Sequence, residues 1–179
     1  MSRVWLTSDW HLGHYGCTKW RTDFPSYMSM VDRLLTDYLS KVKKRDLVWF
    51  LGDTAFTPEA LEVIAELPGD KRLVLGNHCT ERKNKCTDFV KVFTQVHGMV
   101  KYKDAWLTHC PIHPDELRGK FNFHGHVHEH TLKDSRYFNV CGENTNYELV
   151  DYQQTINRMR EENNREVRHK RSPSITSCL

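Results

Sequence analysis

The chain lacks any apolar run near the ~20 residues that a membrane-spanning helix requires, so no membrane partner is expected. Its opening, Met1-Ser2-Arg3-Val4-Trp5-Leu6, meets Asp9 too soon to form a secretory signal. There is no C-x-x-C pair among Cys17, Cys79, Cys86, Cys110, Cys141 and Cys178. That argues against a thiolate zinc site and a disulfide framework, and for reduced thiols in a cytoplasmic protein. No internal repeat is visible. Net charge is also scarce. The whole +3 resides in residues 156–179, where Arg158, Arg160, Arg165, Arg168, Lys170 and Arg171 face Glu161, Glu162 and Glu166. Residues 1–155 are therefore neutral, which disfavours a dedicated nucleic-acid surface.

What is present is a chain of 179 residues, enough for one folded domain. Residues 1–160 read as that domain, and 161–179 as a polar, basic, disordered tail. In the first half, Arg3–Thr7, Leu47–Leu51 and Arg72–Leu75 are buried-strand candidates. Between them, Met28–Val42 carries a helical apolar stripe, and Pro58–Leu67 reads as a helix capped by Thr57. This alternation predicts a mainly parallel sheet. The second half, with short strand candidates at 89–97, 100–102, 105–108, 121–124, 137–140 and 147–150, predicts a second and more antiparallel sheet. Asp151–Arg160 is expected to be a short final helix. The fold class is α/β, with two mixed sheets packed as a sandwich flanked by helices.

Polar residues collect where the apolar runs end. Asp9-Trp10-His11 follows the first, Gly52-Asp53 the second and Gly76-Asn77-His78 the third; His109 and Gly125-His126-Val127-His128 come later. In such sheets ligands gather at the carboxyl ends of the strands. In extended chain, residues i and i+2 point the same way, so Asp9 and His11 can reach one ion, and His126 and His128 repeat the pattern. Asp53 can bridge two ions ~3.5–4 Å apart. Asn77 adds an oxygen and His109 a nitrogen. Carboxylate plus imidazole suits Mn, Fe, Zn or Ni better than Ca or Mg. Each piece alone reads as a loop or turn. All five in order predict metal-assisted hydrolysis of a phosphate ester.

In these segments the chain resembles the calcineurin-like metallophosphoesterases, whose motifs are D-x-H, GD, GNH[DE], a lone H and G-H-x-H. The likeness spans residues 3 to about 155. It is strongest toward small single-domain bacterial and phage-type members, through Ser8-Asp9-Trp10-His11-Leu12-Gly13-His14. The resemblance implies two divalent ions, Mn²⁺ first. One would be held by Asp9, His11, Asp53 and His128, the other by Asp53, Asn77, His109 and His126. A metal-bridging hydroxide would attack the phosphorus, and His78 would stabilise the transition state or protonate the leaving group. It also implies that His14 and Arg21 face the phosphate. Substrates would be phosphodiesters or small phosphomonoesters, nucleotides among them. One departure stands out: Cys79 replaces the acid after GNH that orients the histidine.

Two rival functions use the same residues. A non-catalytic metal-binding scaffold is opposed by the presence of all seven ligands. A nuclease acting on single-stranded nucleic acid through the tail is opposed by the neutral body. Among other residues, His124 and His130 share parity with the ligand pair, and His113 lies in a loop after His109. Arg82, Lys83 and Lys85 read as a solvated run. His97 reads as structural and His169 as exposed. Trp5, Trp10, Trp49 and Trp106 read as core.

Overall fold

The structure, a computed structural model, describes residues 2–171. Its order is β1 (Val4–Thr7), α1 (Tyr27–Lys41), β2 (Leu47–Phe50), α2 (Pro58–Ala65), β3 (Asp70–Val74), α3 (Cys86–Val92), β4 (Gln95–His97), β5 (Met99–Tyr102), β6 (Ala105–Thr108), β7 (Phe121–His124), β8 (Tyr137–Asn139), α4 (Gly142–Thr145), β9 (Val150–Asp151) and α5 (Tyr152–Arg171).

The first sheet runs β4-β3-β2-β1-β9, with β1 to β4 parallel and β9 antiparallel on the edge. The second runs β5-β6-β7-β8. Its central strands explain why the apolar runs are continuous rather than alternating: both faces of the first sheet are covered. Trp5, Val48, Phe50 and Leu73 face one core, shared with Met30, Leu34 and Tyr38 of α1 and Leu61 and Ile64 of α2. Leu6, Trp49, Leu51 and Val74 face the other, filled from the opposite side by Ala105, Leu107, Phe121 and Phe123. The two sheets thus form the predicted sandwich.

Helix starts follow local chemistry. Ser26 accepts from Ser29 N–H at 3.1 Å, and Ser29 Oγ accepts from Ser26 N–H at 3.2 Å, a reciprocal cap for α1. Thr57 accepts from Ala60 N–H at 3.2 Å ahead of Pro58.

Three expectations need correction. The second sheet is mainly parallel, because only β5–β6 is antiparallel while β6–β7 and β7–β8 are parallel. Parallel neighbours need crossover connections. Here those are residues 109–120 and 125–136, the stretches that carry the later histidines. Of the expected strand at 89–97 only Gln95–His97 is extended; residues 89–92 belong to α3, since Asp88 accepts from Lys85 N–H at 2.9 Å and Phe89 and Phe93 bury one face. Of the expected strand at 147–150 only Val150 pairs, together with Asp151 beyond it; Asn146 and Tyr147 are left-handed, at φ 53° and 56°.

The last helix is also longer than the sequence implies. Tyr152, Thr155, Ile156 and Met159 bury one stripe of α5 against the second core, and the helix continues without a break past residue 160 to Arg171. Residues 172–179, the end of the expected tail, lie outside the described residues. Among the described residues no helix is long and apolar enough to cross a membrane.

Candidate metal centre

The loops leaving β1, β2, β3, β6 and β7 converge at the carboxyl ends of the strands. Asp9 N–H donates to Gly52 O at 3.0 Å, and His11 N–H to Asp53 O at 2.9 Å, so the first two loops run side by side. Gly125 N–H donates to His109 O at 2.8 Å and joins the last two. The halves are then tied by carboxylates. Asp9 Oδ2 accepts from His126 N–H at 3.0 Å, and Asp53 Oδ1 from His78 N–H at 2.9 Å. The motif glycines are the points of closest approach. A Cβ on Gly52 would overlap the His109 ring, one on Gly76 the Asp53 carboxylate, and one on Gly125 Ser8 and Asp9.

Five of the seven ligand candidates have left-handed backbone: Asp9 at φ 55°, His11 at 52°, Asp53 at 47°, His126 at 71° and His128 at 48°. The paired residues therefore do not converge through extended chain, as their i, i+2 spacing suggests. The strands end first, at Thr7 and His124, and the loops then turn each ligand inward. Such residues cost on the order of 1–3 kcal/mol each and persist where surrounding contacts over-determine them.

All seven candidates are connected. Nitrogen and oxygen atoms of Asp9, His11 and His128 lie within 4.8 Å of one another, as do those of Asp9, Asp53 and His109. His126 meets His109 together with Cys110 Sγ within the same span. Asn77 Oδ1 lies 2.9 Å from His109 Nε2.

The donor chemistry fits cations. His109 Nδ1 lies 2.8 Å from Leu51 O, which can only accept, so Nδ1 carries the proton. Nε2 then faces Asp53 Oδ2 at 3.1 Å and Asn77 Oδ1 at 2.9 Å, a place that either a proton or a metal cation can fill. His128 repeats this arrangement: Nδ1 donates to Glu143 Oε1 at 2.8 Å, and Nε2 faces Asp9 Oδ1 at 3.9 Å. Among the described residues, the same atoms converge without a competing lysine or arginine between them, so a cation can replace the proton that joins them. A second hydrogen bond that fixes the tautomer is the usual support of a metal-binding imidazole.

Electrostatics agree. Burial opposes ionisation of Asp9, but His11, His109 and Ser8 outweigh it and hold the carboxyl well below its usual range. Burial would likewise raise Glu143, yet His128 and Arg21 bring it down to about 2.

Above the floor opens a cavity of about 660 Å³ lined by His11, His14, Trp20, Phe56, His78, Arg82, His126 and His128, among others. His14 and His78 thus sit on it. Arg21 does not. Its guanidinium is 1% exposed and runs inward, donating to Glu143 Oε1 at 2.9 Å and to Asp9 O at 2.5 Å. Arg21 braces the floor from beneath rather than facing a phosphate.

Cys79, in the acid's position, does not meet the His78 ring. Its buried Sγ accepts from Gly76 N–H at 3.2 Å, and burial pushes the thiol up to about 11. The His78 ring instead meets the Glu81 carboxylate.

Of the remaining histidines, His130 lines the cavity, while His124 is buried with Nδ1 2.9 Å from Gly125 O. His113 is exposed and accepts from Asp115 N–H at 3.3 Å, His97 packs on Trp49, and His169 is exposed. Lys83 and Lys85 are exposed; Arg82 lies over the Phe56 ring at 5.4 Å. Trp5, Trp10 and Trp49 are core, whereas Trp106 is half-buried. Sequence reading missed Glu143, Glu81, Cys110 and Phe56. None belongs to a repeating pattern; Glu143 reaches the site from the four-residue helix α4 and the others from loops.

Comparison with known proteins agrees with this geometry. The family model described as calcineurin-like phosphoesterase matches residues 2–174. The "Gene 66 protein" of Mycobacterium phage L5 is 40% identical over 83 residues, 44% of this chain and 40% of that protein. Its counterpart in Mycobacterium phage D29 is 40% identical over 85 residues, 44% and 41% of the two chains. The matches thus span about two fifths of each relative. The crystal structure of a protein of unknown function from Aquifex aeolicus superposes with a TM-score of 0.69 at 23% identity, covering 89% of this chain and 100% of that one, a likeness of fold. With its motifs converging on one buried carboxylate–imidazole cluster, the chain belongs to the calcineurin-like phosphoesterases, a family of metal-dependent phosphate-ester hydrolases.

Proposed function

We propose that this protein hydrolyses phosphodiesters or small phosphomonoesters at a dinuclear centre. Asp9, His11, Asp53 and His128 would hold one cation, and Asp53, Asn77, His109 and His126 the other. Bound there, two divalent ions supply an acidified water and neutralise charge on the phosphoryl oxygens. The observation that carries the reading is the convergence of ligand atoms from Asp9, His11 and His128, and from Asp9, Asp53 and His109, each group within 4.8 Å.

The chain's own groups do the rest. The ester enters the open cavity, where His78 is 39% exposed along its side chain and can hand a proton to the leaving oxygen. His14 stacks on Phe56 with ring centroids 5.2 Å apart, and burial and Arg82 keep it more neutral than a free histidine. It can therefore accept or donate a hydrogen bond to a phosphoryl oxygen. Arg82 offers a cation at the rim. Glu143, held by Arg21, keeps His128 Nε2 aimed at the floor.

The test is hydrolysis of bis-p-nitrophenyl phosphate and p-nitrophenyl phosphate by Mn²⁺-loaded protein, with Asp53→Asn as control. Turnover that disappears in the variant supports the reading, and the preferred ester separates diesterase from monoesterase. A folded wild type that holds two ions and cleaves neither ester contradicts it and favours a scaffold.

A further inference from the structure

We infer that Glu81 is the positioning residue for His78, filling a task that Cys79 cannot perform. The inference rests on the reading of His78 as proton donor. The chain turns back over residues 78–81, with Glu81 N–H donating to His78 O at 3.4 Å, and this brings the two side chains to one side. The Glu81 carboxylate there makes a close hydrogen bond with His78 Nδ1. The other carboxylate touching His78, that of Asp53, takes its backbone N–H and leaves the ring alone. Cys79 is turned the opposite way, into the core, where its sulfur caps Gly76 N–H.

Burial does not hold the His78 ring, because the two side chains are 39% and 52% exposed. Two contacts do. Phe56 stacks at 5.7 Å with an interplanar angle of 29° and sets the plane of the ring. Glu81 then sets which nitrogen faces outward. An ionised carboxylate can only accept, so Nδ1 must carry a proton, and Nε2 becomes the nitrogen available to a leaving group. Without Glu81 the ring can flip about its axis at little cost, and the donor is misplaced for part of the time. Glu81 touches neither substrate nor metal in this scheme and acts only through the imidazole.

The test is a double-mutant cycle with a spectroscopic arm. Glu81→Gln should lower kcat roughly 10- to 100-fold, the cost typical of losing a histidine's supporting carboxylate, with KM and metal content unchanged. In a His78→Asn background the same substitution should do nothing further. Long-range ¹H–¹⁵N spectra of metal-free, histidine-labelled protein should show one His78 tautomer in wild type and a mixture in Glu81→Gln. Equal losses in both backgrounds, or His78 nitrogen signals identical in the two proteins, overturn the inference. If the wild type cleaves no ester, the phosphoesterase reading has failed, and the nitrogen spectra still decide the contact.

Discussion

The floor and the rim of this cavity are built on different principles. On the floor, Asp9, Asp53 and His109 are at most 4% exposed, and each is fixed twice, by its backbone and by a hydrogen bond behind the ligating atom. On the rim, His78 and Glu81 stand on a surface turn and pair their exposed side chains, and Arg82 lies over the Phe56 ring. The difference teaches where tolerance lies. Ligand geometry depends on close backbone approach, so it resists change. The groups that would handle the leaving group hang on a few exposed contacts, so they can be exchanged. Cys79 illustrates this: the acid absent at that position reappears two residues later, at Glu81.

The sharpest way to break the comparison is to truncate the rim. His78→Ala should cost about 10²–10⁴-fold in kcat, the usual worth of a positioned acid, while both ions stay bound. Loss of metal along with activity would erase the distinction between floor and rim.

A floor support should show the opposite signature. Glu143→Gln keeps an acceptor for His128 Nδ1 but loses the charge that faces Arg21. Metal affinity should fall roughly 10- to 100-fold by competition with a chelator, and activity should recover at high metal concentration.

The glycine contacts sharpen the claim that backbone approach shapes the floor. Gly125→Ala places a methyl group against Ser8 and Asp9. Overpacking of this kind should cost about 2 kcal/mol in urea unfolding of the metal-free protein. Gly98, with nothing within 4 Å of an added Cβ, serves as the neutral control.

The smallest effect is expected away from the site. Asp46 accepts from Arg3 N–H at 2.7 Å and Lys43 N–H at 3.0 Å at the opposite ends of the strands. Burial opposes its ionisation, but these bonds and Trp5 outweigh it and depress its folded value below 3.8. A depressed acid stabilises the fold above its unfolded value and loses that contribution as pH falls through the folded one. Asp46→Asn should therefore lower the urea midpoint at neutral pH. The gap should close as the pH drops below 3.8, and metal affinity should not change.

Which residues gather on the floor was legible in the sequence, because candidate ligands are marked by residue type and by position after an apolar run. Asp9, His11, Asp53, Asn77, His109, His126 and His128 all come together. Their geometry was not legible. The i, i+2 pattern of Asp9 and His11 suggested extended chain, whereas both are left-handed, a choice made by the neighbouring loop. The mainly parallel second sheet was hidden for a related reason: its crossovers hold at most one 3-10 turn, at Pro114–Leu117, and leave no helical periodicity to read. Arg21 looked like a phosphate contact, since nothing in sequence shows that Glu143, 122 residues away, draws it inward. Supports of this sort depend on long-range packing and carry no local signature.

The central claim is a floor that holds two ions through a shared Asp53. It is tested most directly by counting metal in wild-type and Asp53→Asn protein after Mn²⁺ loading and desalting. The account predicts two ions per wild-type chain and fewer than two in the variant, with the fold intact. A wild type that keeps one ion or none, or a variant that keeps both, would contradict it.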